Sequence, residues 1–211
     1  EAHGATYKGK KVGSFSDISC FSFFGNKIIT TGEGGMCLTD NEALAEKMKI
    51  LRDHGMSKQK KYWHDVVGFN HRMTNLQAAV GVAQLERIEK FISAKKNIMK
   101  DYSHFLSGLK GVHFQKEYPD AESVYWLVSM MFDEEFGHER DHIAKHLENF
   151  GIETRPVFYP VHHMPPHKQD LKLGICEKIS KHSLSLPSFI GLSKDKIEHI
   201  SKKIISLADK N

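Results

Sequence analysis

The residues best suited to chemistry lie in one stretch, Ser22-Phe-Phe-Gly-Asn-Lys27-Ile-Ile-Thr-Thr-Gly-Glu-Gly-Gly35. Lys27 follows an apolar run across a glycine turn, a partly desolvated place. Desolvation disfavours the ammonium form, and the neutral amine is what attacks a carbonyl carbon to form a Schiff base. Ser22, just before it, offers a hydroxyl to a phosphate. The run Gly32-Glu-Gly-Gly35 lets main chain approach a ligand closely. A plainer reading competes on chemistry alone: a lysine near a strand end commonly just reaches solvent.

Other candidates carry less. The chain has 14 histidines, and His162-His163 with His167 is the densest group. Adjacent histidines on a regular element diverge, and no cysteine or carboxylate stands at ligand spacing beside them, so no metal site is expected. Trp63 and Trp126 are read as packing residues before base- or sugar-stacking ones. Ser22 and Ser185 lack the turn that exposes a hydrolase nucleophile. Cys20, Cys37 and Cys176 form no Cys-x-x-Cys pair and are odd in number, which points to buried thiols in a reducing cytoplasm.

Several elements must position these residues. Ile18–Phe24 and Met36–Thr39 read as short strands bracketing the lysine. Asn41 or Asp40 caps a helix through Leu51 that Gly55 stops. Thr74-Asn-Leu-Gln77 has the capping-box pattern, and helical spacing then runs to about Leu109, with room for a kink. Val112–Gln115 and Val124–Phe132 read as strands, Arg140–Phe150 as a helix ended by Gly151, and Ile152–Phe158 as extended. Pro160, Pro165 and Pro166 mark a loop. Ser193 caps a final helix with Ile197, Ile200, Ile204 and Leu207 on one face.

With 211 residues, 40% hydrophobic and 27% charged, the chain has an ordinary globular composition. No apolar stretch approaches the roughly 20 residues of a membrane-spanning helix. The net charge of +4 is mild. The runs Lys8-Gly9-Lys10-Lys11 and Lys58-Gln59-Lys60-Lys61 read as solvated loops, without the aromatic interleaving of a nucleic-acid track. Neither nucleic acid nor membrane is an expected partner.

The run Ser22–Met36 resembles the cofactor-lysine segment of the DegT/DnrJ/EryC1/StrS family of sugar-nucleotide aminotransferases, its perosamine-forming members above all. The resemblance extends through Gly68-Phe-Asn-His-Arg-Met-Thr-Asn-Leu-Gln-Ala-Ala79, Gly151-Ile-Glu-Thr-Arg-Pro156, His162 and Leu186-Pro187. It implies an α/β chain of the pyridoxal-phosphate-dependent transferase fold type I. Residues 1–75 would be the C-terminal part of the large domain, 76–110 a linking helix region, and 111–211 a small α+β domain.

The same resemblance implies roles. Lys27 is the Schiff-base lysine and proton carrier, with pyridoxal 5'-phosphate as cofactor. Ser22 bonds the cofactor phosphate, and Glu1 lies near its phenolic oxygen. Asn70 reaches the phosphate of the neighbouring subunit's cofactor, which implies a homodimer with shared active sites. Arg155 and His162 line the nucleotide-sugar side. The implied reaction moves an amino group from L-glutamate to a nucleotide-linked keto sugar of the GDP-4-keto-6-deoxymannose kind.

One departure qualifies this. The family's aspartate for the pyridinium nitrogen would lie three residues before Glu1, so an upstream segment is expected and this chain alone is expected to be inactive. The rivals are a non-catalytic fragment kept for dimerisation and a pyridoxamine-dependent sugar dehydratase. The latter's relatives replace the lysine retained here as Lys27.

Overall fold

Residues 1–208 are described in the computed structural model. They divide into a first unit, Glu1–Ile92 with Tyr118–Val124, and a second, Ser93–Glu117 with Tyr125 onward. The elements begin with β1 (Thr6–Tyr7), β2 (Lys10–Lys11), β3 (Ser19–Ser22), β4 (Gly35–Leu38), α1 (Glu42–Arg52), α2 (Asn75–Leu85) and α3 (Ile88–Phe105). They continue with β5 (Val112–Phe114), β6 (Ala121–Glu122), β7 (Val128–Phe132), α4 (Arg140–Glu148), β8 (Arg155–Pro156), α5 (Gly174–His182), β9 (Ser183–Leu186) and α6 (Lys194–Ala208). No helix among the described residues is long and apolar enough to cross a membrane. The boundary between the units falls inside α3, between Ile92 and Ser93.

In the first unit β3 and β4 pair antiparallel, with Ser22 opposite Gly35 and Cys20 opposite Cys37. A small sheet in the order β2-β1-β6 lies beside the chain start, and the sequence signalled none of its two-residue strands. The helix starts follow their caps. The Asn41 side chain accepts from Leu44 N, and Thr74 and Gln77 close the reciprocal capping box. Helix α1 ends where His54 and Gly55 turn left-handed, at φ 60° and 67°. At Gly55 the chain also folds so tightly on itself that a Cβ would stand 1.9 Å from the Val66 carbonyl oxygen. A Cβ on Gly68 would lie 2.1 Å from the Gly55 nitrogen.

The long helical stretch is two helices, broken at Glu86-Arg87, where Arg87 N turns back to Gln84 O at 3.0 Å. All three cysteines are free and exposed in this chain, contrary to the expected buried thiols. For Cys20 and Cys37 the reason is that β3 and β4 form a sheet of only two strands. Their Sγ atoms stand 3.8 Å apart.

The second unit holds the larger core. An antiparallel sheet in the order β5-β7-β9-β8 supplies Val128, Met130, Phe132, Leu184 and Leu186. Ile143 and Leu147 of α4 and Ile197, Ile200, Ile204 and Leu207 of α6 pack in the same cluster. The predicted face of the last helix is thus the buried one. Two elements were not anticipated, α5 and β9. The serines of Ser-Leu-Ser-Leu disguise a central strand buried at every residue. The start of α5 has no capping side chain at Leu173.

Helix α3 grips the segment leaving β9 with two polar side chains. Tyr102 donates to the Pro187 carbonyl at 2.9 Å. Lys95, 7% exposed, donates to the carbonyls of Trp126 and Ser188. Burial pulls its amine from 10.5 down to about 8, even though both carbonyls favour the charged form. A lysine that binds its proton less tightly when folded makes stability rise with pH. The stability of the wild type relative to Lys95→Met should therefore increase between pH 8 and about 10.4, by on the order of 2–3 kcal/mol. Chemical denaturation of both proteins across that range checks it; a flat difference refutes it.

Candidate functional site

Lys27 closes a turn rather than ending a strand, because its backbone N bonds the Phe24 carbonyl at 3.0 Å. Ile28 and Ile29, which follow, are buried and anchor the turn. Phe23 pins the whole loop. Its N donates to Gly34 O at 2.9 Å, and its carbonyl accepts from Thr31 N and from Thr30 Oγ1, each at 2.9 Å. From α2, Gln84 accepts from Thr30 N at 3.0 Å and Gln77 donates to Glu33 O at 3.2 Å. The capping box at the start of α2 therefore also positions the residue that holds the glycine run.

The Lys27 side chain is only 10% exposed, and its Nζ meets Glu1 Oε1 at 2.7 Å. That hydrogen bond, against a smaller cost of burial, holds the Glu1 carboxyl below its usual range. Beside the pair lies a residue that the sequence reading missed. His3 is buried, its ring centroid 5.2 Å from that of Phe21 and 5.8 Å from that of Phe23. Neither ring nitrogen has a hydrogen-bond partner. Burial pushes the imidazole pKa down, against a smaller upward pull from the Ser22 main chain. A lone histidine near the chain start gives no sequence signal for this.

Ser22 ends β3, and its Oγ accepts from Phe24 N at 3.3 Å, which leaves the O–H to donate elsewhere. Asn70 is exposed and forms a β-bridge with Asp53. Phe69 N to Leu51 O at 2.7 Å and His71 N to Arg52 O at 2.9 Å tie its segment to the end of α1. The segment between α1 and α2 is thus a fixed platform for Asn70. Glu1, Ser22 and Lys27 gather near the start of the first unit, whereas Asn70 is held by α1.

Arg155 and His162 belong to the second unit. Arg155 opens β8, exposed, with Glu153 3.4 Å away. His162 is buried, its Nε2 3.2 Å from Glu177 Oε1. The carboxylate absent from the local sequence is supplied by α5. The Leu173 backbone N–H and then His162 hold the Glu177 carboxyl below its ordinary range.

The residues present fit pyridoxal phosphate. A shielded primary amine suits its aldehyde, and a hydroxyl at a strand end, next to a glycine run, suits its phosphate. Fold and lysine turn together match the pyridoxal-phosphate-dependent transferase fold type I. The chain belongs to the DegT/DnrJ/EryC1/StrS aminotransferase family, whose model matches residues 1–205. It is 45% identical over 205 residues to the GDP-perosamine synthase of Escherichia coli, a match covering 97% of this chain and 55% of that protein. The Caulobacter vibrioides GDP-perosamine synthase is also 45% identical, over 95% of this chain and 55% of its own length. The crystal structure of Streptomyces venezuelae DesV in complex with a ketimine intermediate superimposes with a TM-score of 0.87 at 29% identity, over 98% of this chain and 56% of that one. The chain thus spans about half the length of the relatives it matches.

The glycine run is testable by itself. Gly32 (φ +81°) has open space where a Cβ would go, whereas a Cβ on Gly34 (φ +147°) would stand 2.5 Å from Thr31 Oγ1 and 2.9 Å from Met73 Cε. Gly32→Ala should cost only the backbone strain, about 1–2 kcal/mol. Gly34→Ala should cost about 1–3 kcal/mol more through overpacking. Equal losses in urea unfolding would contradict the ordering.

Proposed function

We propose that the protein acts in a pyridoxal-phosphate-dependent aminotransferase that moves an amino group from L-glutamate to a nucleotide-linked keto sugar, GDP-4-keto-6-deoxymannose. The observation that carries this reading is the shielded Lys27 amine held by Glu1 between Ser22 and the glycine run. It stands in a chain 45% identical to GDP-perosamine synthases.

When bound, the cofactor supplies an aldehyde to hold the amino group and a ring to accept electrons from the reacting carbon. Lys27 would hold it through Nζ and would move the proton at the reacting carbon. Glu1 orients Nζ and holds a negative charge beside it. Ser22 donates its O–H to the phosphate, and Asn70 reaches the phosphate of a second subunit's cofactor. Arg155 and His162 line the nucleotide-sugar side. Across the two halves glutamate becomes 2-oxoglutarate and the sugar ketone becomes an amine, so no oxidant is consumed. A homodimer in the cytoplasm is part of this reading. Exposed apolar side chains on α2, Leu76, Val82 and Leu85, support burial against further protein.

Retention of Lys27 disfavours the dehydratase alternative. The non-catalytic alternative is decided by the experiment that follows. Borohydride reduction in the presence of pyridoxal phosphate should fix the cofactor on the peptide bearing Lys27. Lys27→Ala should lower turnover by about a hundred- to ten-thousand-fold. A label on another lysine, or none, overturns the assignment. GDP-linked keto sugar should be aminated in preference to its dTDP-linked counterpart, and equal turnover refutes the perosamine-type preference.

A further inference from the structure

The loop after β8 and the first turns of α5 bring together three metal-ligating side chains outside the lysine site. Val161–His163 form a single 3-10 turn. His163 N to Pro160 O, Met164 N to Val161 O and Gln169 N to His162 O, each at 3.0 Å, fix that turn. Its two imidazoles meet edge to face, with centroids 4.3 Å apart at 65°. In an extended strand adjacent side chains point to opposite faces. In this tight turn both Nε2 atoms instead converge on one carboxylate oxygen, Glu177 Oε1, at 3.2 Å for His162 and 3.6 Å for His163.

That oxygen also accepts from Leu173 N at 3.0 Å. Two lone pairs cannot serve three donors well, and His163 is left beyond hydrogen-bond length. The spacing matches a different occupant. Ligands about 2.0–2.1 Å from a tetrahedral zinc ion stand about 3.3 Å from one another. Donor atoms of all three residues lie within 4.8 Å of each other. His163 is 53% exposed and Glu177 34%, so a cation would enter from the solvent side and keep one coordination position open.

We propose that His162, His163 and Glu177 form a divalent-cation site of zinc type, which ties the Val161–His163 turn to α5. Two neutral imidazoles and one carboxylate suit zinc better than magnesium or calcium, which prefer all-oxygen shells. The Leu173 N–H orients the carboxylate as an outer-shell donor.

The test is metal binding by the chelator-stripped protein, read by calorimetry with zinc chloride and by the visible absorption of a cobalt(II) derivative. One zinc per chain is expected at this site, with a four-coordinate cobalt spectrum. Glu177→Gln and His163→Gln should each weaken binding by at least about ten- to a hundredfold, while His167→Gln, on the adjacent exposed turn, should not. Circular dichroism confirms that the variants fold, since both side chains are partly exposed. Zinc affinity unchanged in Glu177→Gln and His163→Gln, or no zinc bound by the wild type, overturns the proposal. The readout is metal content rather than turnover, so its failure and that of the aminotransferase reading are separable.

Discussion

Phe23 commits both of its backbone groups across the loop that carries Lys27, and the local arrangement follows from that. The amide closes the loop against Gly34, and the carbonyl takes Thr31 N and the Thr30 hydroxyl together. Antiparallel pairing of β3 with β4 brings Ser22 opposite Gly35 and so sets the loop's length. Within this frame the amine has little freedom. The buried isoleucines after it and the glutamines of α2 hold the turn from both sides. The frame therefore fixes the Lys27 side of the ion pair, while the Glu1 side chain that meets it is 55% exposed.

The second unit reaches rigidity by different means. Its sheet and helices share one apolar cluster, but the exit from β9 carries backbone carbonyls that the sheet does not satisfy. Tyr102 and Lys95 reach from α3 to take them. Burying an ammonium group costs free energy, and the unpaired carbonyls would cost as well. The protein accepts the first cost to avoid the second. That balance shows in the lowered proton affinity of the lysine.

What could be read from the sequence follows the range of the interactions. The caps at Asn41 and Thr74 and the buried face of α6 depend on residues three or four apart, and they were legible; the long helical stretch was legible only as one continuous element with room for a kink. Lys27 and Ser22 were legible as a local pair on chemistry and as a family segment by resemblance. The approach of Glu1 to Lys27, 26 positions away, was not anticipated, because no local pattern encodes it and the resemblance implied only a place for Glu1 near the cofactor's phenolic oxygen. Glu177 was invisible beside His162 for the same reason. Strand β9 was hidden because serines alternate with its core-facing leucines, although all four residues are buried.

The two kinds of glycine in the first unit bear differently on how such a sequence can drift. At Gly34 the obstacles to a side chain are themselves side chains, Thr31 and Met73, so a change there can in principle be accompanied by a smaller neighbour. At Gly55 and Gly68 the obstacles are main-chain atoms of the facing segment. No second substitution removes a carbonyl or an amide, so neither glycine has a compensating partner anywhere in the chain. Descendants of this sequence can exchange the chemistry around Lys27 by ordinary pairwise steps. The crossing that holds Asn70 in register admits no such route: only a rebuilt loop could do without glycine at both positions.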